Sequence, residues 1–284
     1  MFSLSRNWVL QAAIPLATAL CCAAADQHTL RICADPNNLP FSNQKEEVLE
    51  NRLAQLISQD LSADLKYVWF SERKNFLKNS LDAGLCDAVL GVPAGVDGAL
   101  LTRPYYRSTY VIVTRTDRRL DIDSLYDPRL KDLRIGLHIV QDDYAPPGHL
   151  LAEEGLSSRL VGYSLFGTYG DQNPPARLID AVANNEVDLA IVWGPFAGYF
   201  AKTSRFPLTI QPVSPTRFRM VPFTYSIGVA VRKGNAPLQA AIDKVLDKDC
   251  AKVQELVREY AFPSAAKEDT PPCATSPSAA VSLP

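Results

Sequence analysis

The chain has 284 residues, 47% of them apolar and 21% charged, enough to bury one or two full cores without rescue by metal. Lysine and arginine number 29 against 31 aspartate and glutamate, with no long run of either sign, so a mainly disordered state and a nucleic-acid partner are both excluded. Apart from the first segment, nothing approaches the roughly 18 consecutive apolar residues of a membrane span, and no integral membrane segment is expected in the mature chain.

Residues 1–25 carry the pattern of a secretory signal peptide. Arg6 supplies the positive start, Trp8 to Ala19 the apolar stretch, and Ala23-Ala24-Ala25 a small-residue cleavage site before Asp26. Removing that segment, with Cys21 and Cys22, leaves Cys33, Cys86, Cys250 and Cys273, an even set in an exported protein where disulfides persist. Neighbours in the inferred topology favour Cys33 with Cys86 and Cys250 with Cys273. Those loops would be worth roughly 4 and 3 kcal/mol in the chain-entropy model. The first pair lies at opposite ends of its two strands, which argues against the bridge on register. No C-x-x-C spacing occurs and His28, His138 and His149 are scattered, so neither metal nor cofactor is expected.

Thr29 to Ala34 reads as a buried strand, followed by a turn-rich stretch from Asp35 to Phe41. A helical pattern follows, with Leu49, Leu53, Leu56, Ile57 and Leu61 on one face. Leu65 to Phe70 is a second strand, Asn75 to Ala83 a second helix and Ala88 to Val92 a third strand. Such alternation predicts an α/β fold with a mostly parallel sheet, because parallel strands need crossover connections. Tyr105 to Thr114 is the most strand-like run and reads as an exit from the first domain. A second block repeats the order, with strands at Leu133 to Leu137, Leu160 to Tyr163 and Val187 to Val192 around helices at Gly148 to Glu154 and Ala176 to Asn184. Extended runs at Leu208 to Val213 and Tyr225 to Val231 follow, then helices at Pro237 to Leu246 and Lys252 to Tyr260.

This order describes two lobes joined by two hinge strands, with crossings expected near Val113 to Thr116 and Met220 to Thr224. The first lobe takes residues 26–113 and 225–262, the second 114–224, and 263–284 form a loosely ordered tail. Ligands in open α/β sheets bind at the carboxyl ends of strands, so the cleft between the lobes is the expected site.

Three strings carry a family resemblance: Cys33-Ala34-Asp35-Pro36-Asn37-Asn38-Leu39-Pro40-Phe41-Ser42-Asn43, Cys86-Asp87-Ala88-Val89-Leu90-Gly91-Val92-Pro93, and Thr102-Arg103-Pro104-Tyr105-Tyr106-Arg107-Ser108-Thr109-Tyr110-Val111. With the order of elements, they resemble the type II periplasmic substrate-binding proteins of the solute-binding family 3 group over residues 29–262. They look closer still to the binding proteins encoded beside PQQ-dependent alcohol or methanol dehydrogenases, the MoxJ/XoxJ type. The resemblance implies a periplasmic, non-enzymatic protein that delivers a small molecule to such a dehydrogenase, or assembles or activates it, with a small ligand or peptide segment in the cleft. Two departures matter. Amino-acid-binding relatives place a carboxylate-clamping arginine about eight residues before the Pro-Tyr-Tyr, where this chain has Val96. They also follow the Val-Asp-Ala strand with an ammonium-binding aspartate, where this chain has Trp193. A zwitterionic amino acid would find neither charge partner, and burying unpaired charge is costly.

The residues expected to face the cleft are Asp35, Asn37, Phe41, Phe70, Arg73, Pro93, Tyr105, Tyr106, His138 and Trp193. Asp35 and Asn37 serve equally well as turn formers, and the aromatic residues equally well as core. Trp193 stands out, because an indole at a position otherwise held by an acid implies a changed site. His138 lacks a nucleophile or paired carboxylate to make a catalytic set. Gly167 to Gly170 lacks the lysine of a phosphate loop. Two other functions fit the same scaffold: an ABC-transporter receptor for a small organic solute other than an amino acid, and a periplasmic lyase or dehydratase using Asp35 and His138.

Overall fold

The computed structural model describes residues 28–71, 75–140, 142–166 and 173–263. The expected signal peptide, Arg73, the Gly167 to Gly170 loop, Cys273 and all of the tail beyond residue 263 lie outside them.

The first strands are β1 (Thr29–Ala34), β2 (Asp64–Trp69) and β3 (Ala88–Pro93), with β1 paired in parallel to both others. Helix α1 (Leu49–Asp60) crosses from β1 to β2 and buries Leu49, Leu53, Ala54 and Ile57, the face that the leucine spacing predicts. β3 is apolar at nearly every position because both of its faces are covered. The helix expected at 75–83 is present from Phe76 to Asp82, π-type over Lys78–Asp82, and sets Leu81 in one cluster with Cys33, Cys86 and Val89. That cluster explains the disulfide. Cys33 and Cys86 are bonded, with Cα atoms 5.5 Å apart. The turn before β3 therefore brings Cys86 over the face of the sheet, and the objection from register does not apply. Cys250 is also disulfide-bonded.

The long strand β4 (Tyr106–Arg115) changes partners along its length. Tyr106 to Thr109 pair with the later strand β9 (Thr224–Arg232), and from Tyr110 onward β4 pairs antiparallel with β7 (Leu189–Trp193) and with β8 (Leu208–Pro212). The change comes between Thr109 and Tyr110, ahead of the expected Val113 to Thr116, whose first residues already lie inside the second block. β5 (Ile135–Val140) and β6 (Leu160–Ser164) complete that block, β5 running parallel to both β6 and β7. β9 turns from β4 to β3, antiparallel to it. The strand order is β6-β5-β7-β4-β9-β3-β1-β2. The sheet is thus parallel within each outer part and antiparallel through its centre, less uniformly parallel than strand–helix alternation suggests.

Helices α2 (Pro147–Glu153), α3 (Ala176–Ala183) and α4 (Gly194–Ala201) cover the second block, and α5 (Ala236–Lys248) and α6 (Cys250–Glu259) return to the first. Alternation along β4 sends Tyr110 and Ile112 into one core with Leu137 and Phe223, and Val111 and Val113 into another. That second core is continuous across the molecule, joining Leu30 and Ile32 to Phe196 and Phe200 of α4.

The segment after α6 fastens this junction. Tyr260 stacks on Tyr199 with ring centres 6.0 Å apart, Phe262 packs on Phe41 at 6.0 Å and Tyr106 at 5.1 Å, and Ser108 Oγ donates to the Pro263 carbonyl at 2.7 Å. Arg52 of α1 pairs with Glu259, and Lys202 donates to the Glu259 carbonyl. Gly198 makes the close approach feasible, since a Cβ there would lie 2.1 Å from the Ala261 carbonyl oxygen.

Candidate functional site

The carboxyl ends of β1, β3, β5, β6 and β7 meet around a cleft with two connected compartments. The wider, about 750 Å³, is lined by Asp35, Lys78, Asp82, Asp97 and Lys233, with Cys33 behind them. The narrower, about 360 Å³, is lined by Phe41, Tyr106, Tyr110, Trp193, Phe196 and Tyr225. Asn38, Glu50, Leu90, Pro93, Val140 and Phe166 border both. Both volumes fall in the roughly 300–1,000 Å³ range of ligand pockets.

Phe41, Pro93, Tyr106 and Trp193 come together in the narrow compartment, and Asp35 lines the wide one. Phe41 meets Phe196 edge-on at 5.4 Å, and the Trp193 ring lies 5.5 Å from Tyr110 and 5.8 Å from Tyr225. Asp35 also shapes its turn, accepting from the Asn37 backbone N–H at 2.7 Å.

Other expected residues do not reach the cavity wall. Asn37 pairs with Asn43 in a two-residue ladder and leaves the wall to Asn38. Phe70 packs on Phe76 at 5.9 Å. Tyr105 is 2% exposed beneath the floor, where its hydroxyl donates to Glu50 Oε1 at 3.2 Å and accepts from the Gly91 N–H at 3.0 Å. Burial, reinforced by the Glu50 carboxylate, holds that phenol well above its ordinary pKa, so it is a neutral prop. Gly91 has φ +78°, and a Cβ there would lie 2.4 Å from the Glu50 carboxyl oxygen.

His138 is the clearest correction. β5 starts and ends later than the apolar pattern suggests, so the imidazole sits inside the strand, 3% exposed, rather than at its open end. Its Nε2 lies 3.3 Å from the Pro175 carbonyl and its ring meets Phe196 at 5.4 Å. Burial lowers its pKa to about 4, against a smaller upward pull from that carbonyl, and the ring is uncharged near neutrality.

Glu50, Tyr110, Phe196 and Tyr225 were not anticipated as cleft residues. A glutamate in the first turn of a helix reads as a partner of the helix dipole, and Tyr110 and Tyr225 read as ordinary strand aromatics. Phe196 carried a signal, lying one helical turn beyond Trp193.

No family model matches the chain. It is 31% identical over 253 residues to protein MoxJ of Methylorubrum extorquens, covering 85% of this chain and 83% of that one. Over the same length it is 30% identical to protein MoxJ of Paracoccus denitrificans, covering 85% and 91%. Among solved structures, it aligns with the periplasmic binding protein XoxJ from Methylobacterium extorquens at 33% identity and TM-score 0.69, covering 84% of this chain and all of that one. An ancestral cationic amino acid solute-binding protein, 18% identical with TM-score 0.64 over 82% of this chain and 95% of that one, shares the type II periplasmic binding protein fold.

Proposed function

Since the chain belongs to the MoxJ/XoxJ family of periplasmic binding proteins, we propose that it is an exported, non-enzymatic accessory of a PQQ-dependent methanol or alcohol dehydrogenase. It grips a segment of that enzyme in the cleft during assembly or activation. Residues 26–109 with 225–262 and residues 110–224 act as the two lobes, hinged where β4 passes from β9 to β7 and β8.

The observation that carries this reading is the aromatic compartment itself, with Trp193 at its wall and Val96 where amino-acid receptors need a guanidinium. An apolar recess of this kind suits an inserted side chain better than a charged solute. The test is co-purification from periplasm: capture of a quinoprotein dehydrogenase is expected, and its failure, together with a solute that raises the melting temperature at micromolar concentration, would favour a transport receptor. The wide compartment, with its acids and lysines, is the feature that reading would use. A lyase reading has little support, because His138 is enclosed away from Asp35 and both cavity walls.

A further inference from the structure

Three polar ring groups meet in the aromatic compartment without a hydrogen-bond partner among the described residues: the hydroxyls of Tyr110 and Tyr225 and the indole N–H of Trp193. Tyr110 is only 9% exposed, and the Trp193 ring packs against both tyrosine rings, at 5.5 and 5.8 Å. None of the three polar atoms is fully enclosed, a condition met among the described residues by Asn51 Nδ2 alone, and all three side chains line the cavity. Buried phenol and indole groups ordinarily find partners. In the occupied cleft, a bound molecule that displaces water can supply them.

The charges narrow its chemistry. No lysine, arginine or histidine lines this compartment among the described residues, and the carboxylate at its border, Glu50, is engaged by the Tyr105 hydroxyl. An anion would lack a counter-ion and face Glu50. An ammonium would offer no acceptor to the indole N–H, which can only donate. Building on the binding reading above, we infer that the compartment recognises an uncharged apolar or aromatic group bearing a carbonyl-type oxygen, bonded by Trp193 Nε1 and the Tyr110 and Tyr225 hydroxyls. A peptide segment supplies this chemistry as an aromatic side chain beside its own backbone carbonyl, and a free amide supplies it directly.

Titration of the full chain with benzamide, benzoate and benzylammonium, followed by calorimetry, presents one ring with three charges. Benzamide is expected to bind at least about tenfold more tightly than either ion. The double variant Tyr110→Phe/Tyr225→Phe, which keeps both rings, should weaken benzamide about tenfold with an unchanged melting temperature. Tighter binding of N-acetyl-L-phenylalaninamide than of benzamide assigns the pocket to a peptide segment, and the reverse order to a free small molecule. The inference is overturned if benzamide shows no saturable binding, if either ion matches it, or if the double variant binds as wild type. Capture of the dehydrogenase alongside any of those results sinks this inference alone, whereas benzamide binding without capture sinks the accessory role alone.

Discussion

The two compartments of the cleft are built by opposite means. The wide one is walled largely by exposed charged residues, Lys78 and Asp82 on the π-type turn and Asp97 and Lys233 elsewhere, beside the Cys33–Cys86 disulfide that joins β1 to the segment before β3. The narrow one is walled by side chains from the central strands and α4, each ring braced by another. Exposed charges are screened and cost little to rearrange, whereas packed rings hold one geometry. On the proposed binding reading, the contrast would put selectivity in the narrow compartment and tolerance in the wide one.

The largest test breaks the wide wall. Cys33→Ala with Cys86→Ala opens a bridge between residues 53 apart in sequence, and should cost about 4 kcal/mol in denaturant unfolding by the chain-entropy model. Benzamide affinity should survive at temperatures where the variant stays folded.

Next comes pH, which acts behind the narrow compartment. Because burial lowers the His138 pKa from 6.5 to about 4, the unfolded chain takes up this proton first as pH falls. Its contribution is full above about pH 6.5, is lost between there and pH 4, and amounts to about 3 kcal/mol. His138→Gln should flatten the melting temperature across that window.

Gly198→Ala should cost about 2 kcal/mol, as overpacking does, because the new methyl meets the Ala261 carbonyl. Faster hydrogen exchange at 260–262 would locate the strain. The smallest effect belongs to the exposed acid of the wide compartment: Asp97→Ala should leave benzamide binding within about twofold, the scale of ~0.5 kcal/mol usual for surface changes. A larger loss would merge the two compartments into one site.

The leucines of α1 and the apolar runs of β3 and β7 were readable because each pattern reports burial directly. His138 was not, since a strand boundary misplaced by a few residues moves a side chain from the cleft into the core. Trp193 was legible by contrast with the acid expected there. Tyr110 and Tyr225 were not, because their role depends on where β4 and β9 trade partners, and such pairing between distant segments leaves no local mark. The same holds for Gly198, whose neighbour Ala261 arrives from 63 positions further along (261 − 198).

The clasp formed by residues 259–263 also orders events in time. It draws on Arg52 and Tyr106 from one side and Tyr199 and Lys202 from the other, all synthesised before it. The last contacts across the cleft are therefore made only once α6, itself part of the first block's core, has been added. A chain cut just short of Phe262 would keep Tyr260 on Tyr199 and Arg52 on Glu259 but lose the ring that joins Phe41 to Tyr106, so the last few residues tune how the two sides of the gap meet.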